Sequence, residues 1–138
     1  MKDYQKEYDR LKQDTAEWCS INLMNLGDKT KQAIGRKQWI VARLFDTKRD
    51  LLKLQKEKKL LKKAVIDKII AGSISPVNID KSMMVAIDNS DELESINEQI
   101  KDCEFLIEYL EASVKMYTYI AQDIKNLIAA HTLQTESY

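Results

Sequence analysis

Apolar residues between positions 93 and 128 fall at Leu93, Ile96, Ile100, Cys103, Ile107, Leu110, Val114, Tyr117, Ala121, Ile124 and Ile128, in alternating steps of three and four. That spacing gathers them on one stripe of a helix and predicts burial against another helix. No Gly or Pro falls inside the stretch, so nothing local stops or kinks it. At ~1.5 Å per residue the helix is roughly 54 Å long, well beyond the ~30 Å of a small domain. It therefore lies along a second long helix, reaches another subunit, or both. With Leu93 as heptad position a, position g adds Leu106, Ile120 and Leu127. Three apolar columns in seven make a face broad enough for more than one neighbour. Two readings follow: a core helix of a monomeric bundle, or a self-association surface. On the second, Ile100, Ile107, Leu110, Val114, Tyr117, Ile120, Ile124 and Leu127 hold copies together.

A second long helix is predicted over 29–70, where Ile40, Leu44, Thr47, Leu51, Leu54, Lys58, Leu61 and Val65 again step by four and three. Trp39, Phe45, Leu52 and Leu60 widen its face, Gly35 marks an irregularity near its start, and Gly72 stands where a helix C-cap belongs. Before it, residues 3–21 read as a short helix with Tyr4, Tyr8, Leu11, Thr15 and Trp18 on one side, and Leu23 to Thr30, with Gly27 and Asp28, reads as a break or turn. The connector 71–90 holds Gly72 and Pro76, and its apolar run at 83–87 has no helical period. Strand, buried loop and helical turn all remain open for that run. Asn89 and Glu92 have capping-box spacing at the start of the heptad helix, 91–130, which leaves a tail at 131–138. The fold class is all-α: one domain, 1–138, built as a long antiparallel helical hairpin with a short N-terminal helix (1–28 with its turn).

Charge sharpens the picture. The whole chain is neutral, but residues 1–69 carry 18 Lys or Arg against 10 Asp or Glu, a net of +8, and residues 70–138 carry 4 against 12, a net of −8. Such asymmetry points to a polyanionic partner or to association of one half with the other. The densest basic run is 48–68, with Lys48, Arg49, Lys53, Lys56, Lys58, Lys59, Lys62, Lys63 and Lys68 against Asp50, Glu57 and Asp67. On a helix Lys56, Lys59 and Lys63 share a face, as do Lys58 and Lys62. Like charges so placed repel one another, and a bound chain of phosphates relieves that repulsion without any reading of bases. Lys53, Lys56, Lys58, Lys59, Lys62, Lys63 and Lys68 are accordingly the candidate nucleic-acid contacts. The competing reading pairs the same lysines with the chain's own acidic half or with that of a second copy. Trp39, flanked by Arg36, Lys37 and Arg43, is the one candidate for base stacking, against plain core packing next to Ile40.

Catalysis finds little support. His131 is the only histidine, and no Cys/His cluster, phosphate-binding loop, dinucleotide fingerprint or nucleophile elbow is present. No enzyme activity, metal or cofactor is expected. Glu108 and Glu111 read as a solvated helix face. Cys19 and Cys103 lack paired spacing and fit a reducing cytoplasm. No apolar run approaches the ~18 residues of a membrane span, and Met1-Lys2-Asp3-Tyr4 opens no signal region.

The order of these pieces resembles the UvsY recombination mediators of tailed phages. Lys37-Gln38-Trp39 precedes the basic helix. Lys58-Lys59 is followed by Lys63-Ala64 and Asp67, Gly72 closes the helix, and Met83-Met84 falls in the connector. Asp91-Glu92-Leu93 opens the second long helix. Leu110-Glu111 with Val114-Lys115 comes midway, and Asp123-Ile124-Lys125-Asn126-Leu127-Ile128 near its end. The similarity covers roughly residues 37–130. It implies a non-enzymatic protein that binds single-stranded DNA, assembles into a ring (a heptamer by family expectation), and helps a phage RecA-like recombinase displace a single-strand-binding protein inside an infected bacterial cell. It associates DNA with the basic segment, here Lys58, Lys59, Lys62 and Lys63. Val65 occupies one family-type basic position, which implies either weaker binding or more reliance on Lys68. Lys68-Ile69 and Ala129-Ala130 stand where the family has aromatics.

A rival from another class is a coiled-coil structural or adaptor protein without DNA binding, its lysines neutralised by acidic neighbours. A chaperone-like or membrane-surface bundle is disfavoured, because the acidic second half repels anionic lipid.

Overall fold

The computed structural model describes residues 3–18, 26–73 and 78–136. Four helices follow in order: α1 Tyr4–Trp18, α2 Leu26–Ala71, α3 Lys81–Asp88 and α4 Asp91–Glu136, with no strand among the described residues. The chain divides into two compact units that share the long helices: Met1–Thr47 with Leu106–Tyr138, and Lys48–Phe105.

In the first unit α1 packs on the first part of α2 and the second part of α4. Asp3 caps α1, accepting from the Lys6 amide at 3.0 Å. Tyr4 and Leu11 are buried, as the one-sided pattern predicts. Glu7 pairs with Arg43, whose Nε donates to its carboxylate at 2.9 Å, while Thr15 reaches Tyr117 and Tyr8 stacks edge-on against Tyr109 at 4.9 Å. Tyr8 with Tyr109 and Thr15 with Tyr117 make α1 parallel to α4, and Glu7 at Arg43 with Asp14 and Thr15 beside Gly35 and Arg36 makes it antiparallel to α2, so in this unit α2 and α4 run antiparallel. Ala33, Ile40, Leu44, Leu106, Ile107, Leu110, Tyr117 and Ile124 complete the buried set. Two polar side chains lie among them without cost, because Thr47 donates to the Arg43 carbonyl at 2.7 Å and Ser113 to the Tyr109 carbonyl at 2.9 Å. Trp18's side chain lies outside the described set.

Of the break expected over 23–30, residues 26–30, with Gly27 and Asp28, belong to the start of α2, and residues 23–25 lie outside the described residues. Gly35 marks no irregularity either. It lies within the helix, and a Cβ placed there meets nothing within 4 Å. Gly35→Ala is therefore expected to stabilise the protein by ~0.5–1 kcal/mol, since Ala loses less backbone entropy on folding. A raised urea midpoint at unchanged m-value checks it.

In the second unit the remaining parts of α2 and α4 are joined by α3. Leu54, Ile87, Leu93, Ile96 and Cys103 are its buried apolar side chains. Gly72 follows the last residue of α2, donating to the Lys68 carbonyl at 3.0 Å. No described residue has positive φ, so this helix ends without a left-handed cap. The open segment at 83–87 is helical because Asp80 caps it, accepting from the Met83 amide at 2.9 Å. Asn89 corrects the capping-box expectation. It is the C-cap of α3, and its side-chain amide turns back to the Val85 carbonyl at 3.1 Å rather than forward to α4. Ser90 fixes the corner, donating to the Ile87 carbonyl at 2.6 Å.

Candidate nucleic-acid interface

The basic segment of α2 carries the candidate lysines in two rows, because a helix turns ~100° per residue. Leu54 faces the unit's core. Lys56, Lys59 and Lys63 lie on the far side and are exposed, as are Lys53 and Lys68. Among the described residues no carboxylate pairs with any of these five. Leu52 and Leu60, 67% and 63% exposed, stand on the same outer side, so the ridge is interleaved with apolar surface.

Lys58 and Lys62 form the second row, at the edge nearer the core, and are only partly exposed. Both meet Asp88, the last residue of α3: Lys62 Nζ lies 2.8 Å from Asp88 Oδ1 and Lys58 Nζ 3.9 Å. The Lys62 ammonium holds the Asp88 carboxyl below the usual carboxylate range against the opposing effect of its partial enclosure, with help from Lys58. Gln55, Lys56, Lys58, Lys59, Lys62 and Asp88 together line an open cleft of ≈ 470 Å³. One carboxylate among four ammonium groups leaves that cleft strongly positive, so it attracts anions and above all a chain of them. Asp88 itself escaped the sequence reading. It lies far along the chain from its partners, and no local pattern signals such a pair.

Trp39 belongs to the first unit, where it is half-exposed beside α1 with Leu11, Asp14 and Arg36. Its neighbour Arg43 is engaged by Glu7. Of the eight residues assigned to self-association, Ile107, Leu110, Tyr117 and Ile124 are buried within the protomer. Ile100, Val114 and Ile120 are partly exposed, and Leu127 is 53% exposed. The wide apolar face of α4 is thus divided between side chains that close the chain's own core and side chains in its flanking columns that reach solvent.

Among the described residues no group of three or more His, Cys, Asp or Glu is placed to hold a metal ion. No helix of the described residues is long and apolar enough to cross a membrane.

No protein-family model matches the chain, and no curated protein sequence does so. A solved structure does: the crystal structure of the bacteriophage T4 recombination mediator protein UvsY superposes with a TM-score of 0.77. The match covers 92% of this chain and 96% of that one at 13% sequence identity. The all-α chain described above therefore has the fold of the T4 UvsY recombination mediator.

Proposed function

We propose that this protein is a recombination mediator that binds single-stranded DNA and promotes loading of a phage RecA-like recombinase in place of a single-strand-binding protein. The carrying observation is the ridge of Lys53, Lys56, Lys59 and Lys63, exposed and without carboxylate partners among the described residues, on a chain with the fold of a recombination mediator. A row of unpaired ammonium groups is suited to a flexible phosphate backbone, gains affinity by releasing counterions, and needs no base contacts. Leu52 and Leu60 offer apolar surface between the charges, against which sugars and bases can lie. Nothing in this mechanism requires bond chemistry. The protein lowers the free energy of an extended strand by neutralising it and holds that strand for a recombinase.

Self-association follows from the same reading. A few phosphate contacts per subunit bind weakly, and copies joined in a ring gain by effective concentration. In the first unit Val114, Ile120 and Leu127 of α4 reach solvent and are available for it, as in the second unit is Ile100.

The test is a fluorescence-anisotropy titration with a labelled oligothymidine over a series of salt concentrations, alongside sedimentation of the free and bound protein. Log affinity is expected to fall linearly with log salt, at about 0.7 for each phosphate neutralised. A slope near zero, or no binding at ~0.1 M salt with an intact oligomer, overturns the DNA assignment and leaves the adaptor reading.

A further inference from the structure

The two rows of lysines differ in what they meet. The outer row faces solvent, whereas Lys58 and Lys62 share one carboxylate delivered by α3. The backbone that carries that carboxylate is held in place. Ile87 before it is buried, the Asp88 carbonyl accepts from Asn97 Nδ2 at 2.7 Å, and the Ser90 hydroxyl closes the corner beyond it. Asp88 Oδ1 is fully enclosed, yet no aligned hydrogen bond reaches it, so the Lys62 contact at 2.8 Å is a charge contact made off the ideal angle. The side chain as a whole remains 37% exposed at the mouth of the cleft. A carboxylate presents to an ammonium group what a phosphodiester presents: anionic oxygens at hydrogen-bond distance. The cleft therefore already contains a stand-in for the ligand that its lysines attract, held there imperfectly and open to exchange.

We propose that Asp88 is a built-in competitor for nucleic-acid phosphate, occupying Lys58 and Lys62 in the free protein and giving them up as the DNA backbone enters the cleft. The inference rests on the DNA-binding reading and adds a regulation to it. The outer ridge captures the strand, and the inner pair joins only after an internal ion pair is exchanged for an external one. Exchange of one pair for another adds less affinity than a new contact, and it also cuts off approach to wrong, weakly charged ligands. A mediator has to release its strand, and a carboxylate waiting beside the binding lysines favours release.

The experiment compares wild type, Asp88→Asn, Lys62→Gln and the double variant by anisotropy across a salt series. Asp88→Asn is expected to raise affinity about 3- to 10-fold at low salt and to steepen the salt slope by roughly 0.7–1.4, one or two further phosphates. Lys62→Gln is expected to lower wild-type affinity by less than about twofold, and to remove most of the gain when added to Asp88→Asn. A folded Asp88→Asn protein with unchanged affinity and slope, or strictly additive variants, overturns the proposal and reduces Asp88 to an anchor for α3. Should circular dichroism show Asp88→Asn to be misfolded, Lys62→Gln is compared with Lys59→Gln. Competition requires Lys59→Gln to lose several-fold more affinity, and equal losses overturn it. Failure of the wild type to bind at all removes the DNA reading itself, whereas a binding wild type with an inert Asp88→Asn removes only the competitor.

Discussion

The quadruple variant Lys53→Ala, Lys56→Ala, Lys59→Ala, Lys63→Ala is expected to bind a single-stranded oligonucleotide several hundred-fold more weakly than wild type at ~0.1 M salt. The size follows from counterion release: at a slope of about 0.7 per phosphate, one contact at tenfold below molar salt carries roughly a factor of five, and four such contacts multiply. The salt slope should fall by roughly 3 in the same titrations. Folding should not suffer. All four side chains are exposed, Ala is the best helix former, and the exchange removes like-charge repulsion one turn apart. An unchanged or raised thermal midpoint with lost affinity places the binding site on this ridge. Retained affinity would move it elsewhere, and lost oligomerisation would show the interleaved Leu52 and Leu60 surface to be an interface between copies.

Tyr117→Ala is expected to destabilise the protein by about 3–5 kcal/mol, the range for deleting a large buried aromatic side chain. A chain of 138 residues has a total stability of roughly 7–20 kcal/mol at ~0.05–0.15 kcal/mol per residue, so the loss is a large fraction. Tyr117 is 1% exposed and stands where three helices of the first unit meet, sharing a cavity wall with Leu11, Thr15, Gly35 and Ile40. Its hydroxyl is 3.5 Å from Thr15 Oγ1, long for a bond between hydroxyls. Tyr117→Phe keeps the buried ring and should cost only the ~0.5–1.5 kcal/mol of a hydroxyl's hydrogen bonding. Urea unfolding followed by circular dichroism measures both. The pair of variants also separates the two uses of the α4 face. A residue at a subunit interface would alter the oligomer first and the protomer's stability little, whereas Tyr117 should act in the opposite order. Leu127→Ser should show the interface behaviour if the solvent-facing apolar side chains of α4 join copies.

Much of the helical architecture was legible in the amino-acid order. The period of Leu93, Ile96, Ile100 and their successors is a local property of the chain, and so is the one-sided pattern of Tyr4, Tyr8 and Leu11. Burial of one stripe is the only way to satisfy either. Asp80, with Met83 three residues on, was a readable start signal for α3 that the irregular apolar run obscured. The Asn89 side chain can cap a helix forward or backward, and only the position of Val85 across the turn decides between them.

The amino-acid order by itself determined that this protein is all-α, that its two long helices carry opposite charge, and that lysines crowd the later part of α2. Each of these follows from spacing and charge within a few turns of helix. Only the tertiary structure decided which apolar side chains of α4 close the protomer, Ile107, Leu110, Tyr117 and Ile124 among them. The same holds for Lys58 and Lys62, which meet Asp88 while Lys53, Lys56, Lys59 and Lys63 face water. The reason is that burial and ion pairing depend on what the packing of distant segments brings within a few ångströms, a distance that no helical period encodes.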